Sequence, residues 1–503
     1  MYKNAIFKAK PSCMSKKLLV ALFAAPLLFA CNTKKNENPE EMVKWPDVKP
    51  PVAETKVHWR TIHGDSVLDN YYWMYDYFGK GPDSTKVVDY LKAENTYLDT
   101  MMSGTKNLQA NLFAEMKSRI KEKDESVPSF KNGYYYYMRT EDGKQYYKYC
   151  RKKGSLNANE EILLDVDELA EGHPYFAASG FDVSEDNKLL AFGVDTVSRR
   201  QYVIRIKNLE TGEIYKDLIQ DTQGDPSWAN DNKSIFYTSK NAVTLLSEKI
   251  MRHQLGSDAA DVTVYEEKDK TNYIGVGKSK NNKFIFIYSQ ATLSTEVRFI
   301  DASKPSDSFK LFAARMKDVL YDVTVLDNKF LIRTNKDNAT NFKLMECPLD
   351  NTESANWKEV IPNRPDVLLA GVDEFKNFIA ISERKNGLTQ LTIENLSTNE
   401  KHSLDFGEPT YTASIGSNSE YNSDTLRYNY SSLTTPNSVY DYSMKNSGKK
   451  LMKQQEVLGG YNPADYVSER LYATAKDGTK IPISIVYKKG FVKDGNAPLL
   501  LYG

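Results

Sequence analysis

Apolar positions follow a helical period in only one early stretch of the chain. Two helices are predicted there, the first with an N-cap at Asp83 or Ser84 and the second capped by Thr105. The apolar stripes are Val87, Leu91, Leu98 and Met102 in the first helix, and Leu108, Leu112, Phe113, Met116 and Ile120 in the second. Residues 46–80, which precede the helices, are predicted to be extended chain and turns. Beyond Glu122 the helical period ends.

A repeating turn replaces that period. Asn and Asp suit tight turns because they tolerate positive φ and bond their own backbone. The turns recur every 45 to 55 residues, between segments that alternate apolar and polar positions, and are Lys131-Asn132-Gly133, Asp186-Asn187-Lys188, Asp231-Asn232-Lys233, Asn281-Asn282-Lys283, Asp327-Asn328-Lys329, Phe375-Lys376-Asn377 and Asn422-Ser423-Asp424. A four-stranded unit of this length, used several times, is typical of a β-propeller blade, so seven turns predict seven blades. A pair of β-sandwiches is the alternative, although sandwiches have no reason to repeat at a fixed period.

The pattern changes again after Met444. Two alternating strands between Tyr466 and Tyr487 flank the hairpin turn Lys476-Asp477-Gly478-Thr479. The last six residues, 498–503, form a continuous apolar run of the kind that is buried on both faces of a parallel sheet. A parallel strand needs a crossover and a neighbour, and none follows, so we expect the sequence to end within a domain.

The N-terminus has the pattern of a bacterial secretory signal. Lys16 and Lys17 precede thirteen uncharged residues, 18–30, that end directly before Cys31. This ending resembles the lipobox of bacterial lipoproteins, which implies cleavage before Cys31 and lipidation of its sulfur. An ordinary secretory signal is the alternative. We therefore expect an exported lipoprotein in the periplasm or anchored at the outer membrane or cell surface.

Composition narrows the function classes. Lys and Arg total 67 and so do Asp and Glu, and the charges within the first thirty residues are all Lys, so the remainder carries no basic excess for nucleic acid. No apolar run reaches the ~18 residues that a transmembrane helix needs. Of the four cysteines, Cys13 lies within the signal and Cys31 at its end, and Cys150 and Cys347 are expected to be partly buried thiols, although a bridge is possible.

Motifs for catalysis, metal binding and phosphate binding are missing from the sequence. It contains no G-x-S-x-G elbow, P-loop or G-x-G-x-x-G, and no two His residues have metal-ligand spacing. All five His residues, 58, 63, 173, 253 and 402, are interpreted as surface or structural. Residues 165–168 lack the glycine and later glutamate of a Ca²⁺ loop, which favours a solvated turn. We expect no metal and no cofactor.

Several sequence words together resemble the oligopeptidase B (protease II) branch of the prolyl oligopeptidase family of serine peptidases. They run in order from about residue 55 to the end. The words are His63-Gly64-Asp65, Asp69-Asn70-Tyr71-Tyr72-Trp73, Tyr90-Leu91-Lys92-Ala93-Glu94-Asn95, Glu115-Met116-Lys117-Ser118-Arg119-Ile120, Ser126-Val127-Pro128, Gly133-Tyr134-Tyr135-Tyr136-Tyr137, Arg333-Thr334-Asn335, Glu383-Arg384-Lys385-Asn386-Gly387-Leu388, Leu426-Arg427-Tyr428, Ser432-Leu433-Thr434-Thr435-Pro436 and Leu500-Leu501-Tyr502-Gly503.

The resemblance implies an endopeptidase that cuts short peptides after Arg or Lys, with the propeller as a size-selecting cap. It also implies a mainly β fold, in which a seven-bladed propeller follows a helical segment and precedes the first strands of a truncated α/β-hydrolase domain. The expected domains are a lipoprotein signal peptide (1–30), a polar tether (31–45), an extended and helical segment that packs on the hydrolase domain (46–120), the propeller (121–450) and the start of the peptidase domain (451–503).

The Ser-Asp-His triad of the resembled family belongs beyond Gly503, so no catalytic residue is assigned to this chain. The leading hypothesis is the first two-thirds of a lipid-anchored peptidase, cut short by an incomplete gene record or a frameshift and inactive alone. The alternative is a lipid-anchored, non-catalytic propeller that binds a peptide or glycan in its channel. The terminal apolar run favours the first, because a finished binding module should not end on an unprotected strand.

Overall fold

The computed structural model describes residues 44–78 and 81–503. The proposed lipidation site Cys31 lies outside these ranges. The chain divides into two compact units between Glu115 and Met116, and each unit is described by itself. Within the described ranges, no helix is both long and apolar enough to cross a membrane.

The first unit begins with a hairpin. Strands β1 (Trp59–Ile62) and β2 (Asp65–Leu68) pair antiparallel around a turn in which His63 and Gly64 have φ of 54° and 82°. A 3-10 helix, Tyr72–Phe78, follows and contains the buried Trp73. The Trp73 indole N–H donates a 2.8 Å hydrogen bond to the carbonyl oxygen of Glu54, which holds the extended segment against the 3-10 helix.

Two helices follow, as predicted. Helix α1 spans Ser84–Met101 with Asp83 at the N-cap, and α2 spans Lys106–Ser118 after a 3-10 turn, Met102–Thr105. Thr105 is not a side-chain cap of α2, since its hydroxyl donates to the carbonyl of Met102 instead. The apolar stripes are largely exposed, and only Val87 is buried in α1.

Five separate four-stranded antiparallel sheets and one eight-stranded sheet make up most of the second unit. The first sheet contains β3 (Ser129–Lys131), β4 (Tyr134–Arg139), β5 (Lys148–Lys153) and β6 (Glu160–Asp165), and the short helix α3 (Val166–Leu169) follows it. The eight-stranded sheet contains β7 (Ala177–Val183), β8 (Leu189–Asp195), β9 (Tyr202–Asn208), β10 (Ile219–Thr222), β11 (Ser227–Trp228), β12 (Ser234–Lys240), β13 (Ser247–Gln254) and β14 (Val262–Glu266).

The four remaining four-stranded sheets follow in chain order. They are β15 (Tyr273–Lys278), β16 (Phe284–Gln290), β17 (Thr295–Asp301) and β18 (Lys310–Ala313); β19 (Tyr321–Val325), β20 (Lys329–Thr334), β21 (Lys343–Pro348) and β22 (Lys358–Ile361); β23 (Val367–Glu374), β24 (Phe378–Lys385), β25 (Leu388–Asn395) and β26 (Lys401–Ser403); and β27 (Tyr411–Ile415), β28 (Thr425–Ser432), β29 (Ser438–Ser443) and β30 (Lys449–Gln454). Single-turn 3-10 helices occur at Ser354–Asn356 and Pro463–Asp465.

The blade count differs from the predicted seven. Five blades are separate four-stranded sheets, whereas the strands of two successive repeats, β7–β10 and β11–β14, share one sheet. The Thr222–Ser239 pair of β10 and β12 joins them. The turns do mark the repeats, since Asn132, Asn187, Asn232 and Asn282 all have positive φ. However, the number of turns gives the number of repeats and not the number of separate hydrogen-bonded sheets.

Apolar side chains fill the space between successive sheets. One core cluster joins the sheet of β15–β18 to that of β19–β22 and includes Phe286, Phe312, Phe330 and Trp357. Another joins the last two blades through residues such as Phe378, Leu391 and Tyr428. The core clusters of the described residues join each repeat to the next from the first sheet to the last, so burial of apolar surface stabilises neighbouring repeats against one another.

The segment after the last blade contains one hairpin, β31 (Tyr466–Thr474) and β32 (Lys480–Lys488), with the predicted turn between its strands. The buried strand predicted over residues 498–503 is not observed. Leu499 to Tyr502 are 75–96% exposed and belong to no strand. A strand needs a hydrogen-bonded neighbour, and no described strand pairs with this segment.

Candidate functional site: the propeller channel

The turns that follow the first strand of each repeat meet at one end of the second unit. Asn132 donates from its side chain to the carbonyl of Glu185 at 2.8 Å, and the Asn132 backbone N–H donates to Glu420 of the last blade at 3.1 Å. The Asn230 side chain likewise donates to the carbonyl of Asn282 at 2.9 Å. These contacts link the last repeat to the first, the first to the second and the third to the fourth, and we call this group of turns the turn ring.

Two lysines of the turn ring contact repeats that are not their neighbours. The Lys278 ammonium lies 2.6 Å from Glu185, which follows β7, and thereby passes over the repeat of β11–β14. The Lys280 ammonium lies 3.1 Å from Asp373 of β23 and thereby passes over the blade of β19–β22. Side chains can span a repeat only where the repeats converge, so the ends of β7, β15 and β23 lie close to the propeller axis.

Small residues line these axial strands. A Cβ added at Gly275, Gly277 or Gly371 would meet no atom within 4 Å, so each glycine faces open space. Strand β27 also presents small polar side chains on one face, since Thr412 and Ser414 are exposed while Ala413 between them is buried. The first strands therefore surround a channel whose wall carries small side chains at these positions.

Carboxylates at the turn ring are partly buried. Burial raises the pKa of Glu374 to about 7, an effect that nearby Asp373 strengthens and Lys280 opposes. Burial also raises the pKa of Asp373, and Lys280 again opposes the shift. Asp182 at the end of β7 is raised for the same reason, although Lys131 lies 3.7 Å away. This end of the channel thus brings partly buried acidic groups and lysines together.

A cavity of about 930 Å³ lies where the last blade meets the segment that leads into the first one. Its wall includes Thr412 and Ser414 of β27, Tyr430 of β28 and the ion pair of Lys453 with Asp124, whose charged atoms are 2.6 Å apart. The cavity opens beside the channel wall and carries both charged and aromatic groups.

The histidines have structural contacts. His253 is the most buried of them, and its ring nitrogens lie 3.1 Å from Asp217 and 2.8 Å from Asp261. His58 stacks on Tyr72 with ring centroids 3.9 Å apart. Within residues 44–78 and 81–503, no three His, Cys, Asp or Glu side chains are grouped to hold a metal.

The remaining sequence candidates are also accounted for. Cys150 and Cys347 are free, buried thiols with no disulfide between them. Residues 165–168 form no solvated turn, because Asp165 caps the short helix α3 by accepting from the backbone N–H of Glu168. The lining glycines, Lys278 and Lys280 were not singled out from the sequence. One sequence signal could have indicated them. When the turns are aligned, the position directly before the Asx-Asn-Lys motif carries opposite charges in two repeats, Glu185 in one and Lys280 in another.

Comparisons with known proteins place these features in context. A family model described as "Prolyl oligopeptidase, N-terminal beta-propeller domain" matches residues 50–455. The chain is 38% identical over 471 residues to dipeptidyl aminopeptidase BI of Pseudoxanthomonas mexicana, which covers 90% of this chain and 64% of that protein. It is 32% identical over 464 residues to protease 2 of Moraxella lacunata, with 91% and 66% covered.

A solved structure agrees with this similarity. Oligopeptidase B from Leishmania major superposes with a TM-score of 0.80 at 30% identity, over 88% of this chain and 65% of that one. The chain therefore spans slightly less than two thirds of the length of these relatives.

Proposed function

Because this chain belongs to the prolyl oligopeptidase family of peptidases, we propose that it supplies the substrate-admitting propeller of a serine peptidase that cleaves short peptides. The single observation that carries this proposal is the family match over residues 50–455. The channel supports it, since a wall built from residues such as Gly275, Gly277 and Ser414 admits an extended chain but excludes a folded protein by size.

We assign the chemistry itself to a peptidase domain that these 503 residues do not supply. Serine acts as a nucleophile when a base takes its proton, and the base needs a carboxylate that holds its tautomer. No G-x-S-x-G elbow occurs in the sequence. The chain alone is therefore proposed to be inactive, and the complete protein to carry a Ser-Asp-His triad beyond Gly503.

The eight-stranded sheet fits this proposal as two blades joined edge to edge. Its strands fall into two runs of four, β7–β10 and β11–β14, and each run contains one of the repeated turns between its first and second strands. A single residue pair, Thr222 with Ser239, connects β10 to β12. On this count the channel is surrounded by seven blades.

Exposed apolar surfaces outside the blades suit a role in covering the peptidase domain. In the hairpin of β31 and β32, Leu471, Tyr472 and Ile481 are more than 40% exposed. The helical segment likewise exposes Leu98 and Leu112. Burial of a leucine contributes about 1.5–3 kcal/mol, so these side chains represent a substantial stabilisation once covered.

The cleavage position has two candidates. The resemblance to oligopeptidase B favours cleavage after Arg or Lys within short peptides. The similarity to a relative named dipeptidyl aminopeptidase BI, at 38% identity, favours release of dipeptides from a free N-terminus. A substrate with a blocked N-terminus separates them, because only the endopeptidase would cleave it.

We also propose that the protein is an exported lipoprotein anchored through Cys31. The support is the uncharged run of residues 18–30 directly before this cysteine and the polar segment after it. The protein would then encounter its peptide substrates outside the cytoplasm.

A chimaera tests the proposed function. This chain, joined at Gly503 to the remaining part of the Pseudoxanthomonas relative, is expected to hydrolyse a short Arg- or Lys-amide, and a serine-directed inhibitor should block the reaction. The unfused chain is expected to show no turnover above buffer. A folded chimaera without activity, or inhibitor-sensitive turnover by the purified chain alone, would contradict the proposal.

A further inference from the structure

Two glycines of β15 lack the usual structural reasons for a glycine within a strand. Gly275 and Gly277 have no positive φ, and β15 pairs with β16 in an unbroken register. A Cβ at either position would meet no atom within 4 Å, whereas a Cβ at Gly180 of β7 would collide with the carbonyl oxygen of Gly224. Glycine within a strand marks a bulge, a sharp bend or a place where a ligand or another backbone approaches closely. The two glycines of β15 therefore indicate the approach of a ligand.

The edge of β15 that faces the channel is unpaired. β15 is the first strand of its sheet, and no described strand pairs with its other edge. The backbone N–H of Ser279 donates to the carbonyl oxygen of Phe284 at 2.8 Å, and hydrogen-bonded pairs alternate along antiparallel strands. By this alternation the two glycines bond to β16, whereas Ile274 and Val276 direct their N–H and C=O groups toward the channel.

Groups that attract a cation lie on the glycine face of β15. Tyr273 shares this face, because side chains alternate along a strand, and it is 76% exposed. Asp322 of β19 is 66% exposed, although the Arg333 guanidinium lies 2.7 Å from it. Burial raises the pKa of Tyr288, directly opposite one of the glycines in β16, and the charges of Asp322 and Glu374 raise it further. An aromatic ring and two carboxylates therefore favour Arg or Lys side chains on this face.

We propose that the free edge of β15 is a binding site for short, extended peptides that carry Arg or Lys, which add to it as an antiparallel strand. The peptide backbone bonds to Ile274 and Val276, and the basic side chains lie over Gly275 and Gly277. The ligand class rests on the proposed function, whereas the edge and the glycines are properties of this chain. The site holds part of the substrate within the propeller.

Strand addition suits a peptidase that accepts many sequences. Main-chain hydrogen bonds supply affinity that does not depend on the side chains of the peptide. Directly opposite residues of two strands have Cβ atoms about 4.5–5.5 Å apart, so a strand without side chains at alternate positions leaves room for long ones on its partner. Gly371 of β23 also faces open space, but it lies at a break in the register between β23 and β24, which explains it. β15 thus combines a regular edge with an open face.

Binding to the full chain tests the site without any need for catalysis. The protein carries Cys31→Ser so that it is not lipidated, and the probe is a short dansyl-labelled peptide amide of alternating Arg and Ala, followed by fluorescence anisotropy. In the proposed arrangement the Ala N–H groups face β15 and the Arg N–H groups face away. N-methylation of the Ala residues should therefore weaken binding about ten-fold or more, whereas N-methylation of the Arg residues should leave the affinity nearly unchanged.

A paired valine variant tests the open face. Gly275→Val with Gly277→Val fills it with side chains that strands favour and that meet no atom, so the protein should remain folded while the affinity falls about ten-fold. Gly371→Val is the matched control, because it adds the same side chain in open space on another first strand, and it should bind like the parent. Hydrogen–deuterium exchange locates the peptide, since residues 273–278 should exchange more slowly when it is bound.

Equal effects of the two methylation patterns, or equal affinities of the paired valine variant and Gly371→Val, would overturn the strand addition. Unchanged exchange of residues 273–278, or no binding of the unmethylated peptide at about 1 mM, would do the same. If the paired valine variant is unfolded, the methylated peptides and the exchange measurement still decide, because both use the parent chain.

The chimaera keeps this site and the proposed function distinguishable. An active chimaera beside an edge that binds no peptide would overturn the site alone. A binding edge beside a folded but inactive chimaera would overturn the peptidase function and leave the peptide site standing.

Discussion

The Arg427 guanidinium donates a 2.7 Å hydrogen bond to the carbonyl oxygen of Pro128, although the two residues lie 299 positions apart in the chain. The same group pairs with Asp441 of its own blade through two hydrogen bonds, of 2.7 and 2.9 Å. Arg427 therefore connects the last blade to the segment that leads into the first. The planar guanidinium binds a carboxylate and a backbone carbonyl at the same time, an arrangement that a lysine ammonium cannot reproduce.

Arg427→Ala should weaken closure of the blades. Hydrogen bonds to charged groups contribute about 1.5–3 kcal/mol each, and Asp441 would lose its partner, so we expect a loss of roughly 2–4 kcal/mol. Urea unfolding measures the change. Arg384→Ala, which alters an exposed arginine of β24, serves as the control and should have little effect. Equal unfolding midpoints for the two variants would contradict the assigned role.

Glu374→Gln should stabilise the protein at alkaline but not at acidic pH. Burial raises the pKa of this carboxyl from 4.5 to about 7 in the folded protein. The folded state thus holds its proton more tightly, and its stability falls as pH rises from about 4.5 to about 7. Gln lacks that titration, so at pH 8 the variant should gain roughly 1–3 kcal/mol.

The measurement for Glu374→Gln is urea unfolding at pH 4.5 and at pH 8. Glu353→Gln replaces an exposed carboxylate and provides the control for the change of residue type. A gain of the same size at both pH values would show that packing, and not the raised pKa, is responsible.

The two thiols of the second unit should be inert in the folded protein. Burial raises the pKa of Cys150 to about 11 and that of Cys347 to about 12. Only the thiolate reacts with disulfide reagents, and at pH 8 both groups remain protonated. The chain with Cys13→Ser and Cys31→Ser should titrate no fast thiol when native and two in denaturant. One rapidly reacting native thiol would disprove the burial of that site.

The proposed anchor at Cys31 predicts a membrane-bound product. The full chain expressed in a bacterium should sediment with membranes, and Cys31→Ser should release it or block processing. One acyl chain holds a protein only marginally, so stable attachment requires the several chains of a bacterial lipoprotein. Cys13→Ser is the matched control and should remain bound. Equal retention of the Cys31→Ser variant would rule out lipidation.

Local patterns in the sequence predicted the local elements. Asn187 and Asn232 adopt the positive φ that their turns required, and α1 begins after Asp83. The joining of β10 to β12 was not predictable, because a single pair of residues, Thr222 with Ser239, decides it. The alternation of apolar and polar positions predicts each strand, but it does not show which strand edges remain free to pair with a neighbouring sheet.

The channel was predicted only as a general consequence of a propeller. Gly275 and Gly277 interrupt a strand pattern, and a glycine within a strand is normally interpreted as weakening that strand. The pattern therefore did not indicate that these two residues line a channel. The contacts of Lys280 with Asp373 join residues 93 positions apart. No local spacing encodes such a pair, since it depends on how closely three repeats converge at the axis.

The strand order within the blades has a consequence for synthesis. In the described part of the chain, each four-stranded sheet uses strands that are consecutive in sequence, and the first sheet borrows no strand from the C-terminal region. Once a ribosome has released β3 to β6, that sheet has all its strands, and each later blade can add to the one before it. The contact between Pro128 and Arg427 forms only after the last blade has emerged. The entropic cost of joining two distant parts of a chain grows by only about 0.6 kcal/mol for each doubling of the loop between them. The long separation of Pro128 and Arg427 therefore adds little to the free energy needed for this late contact.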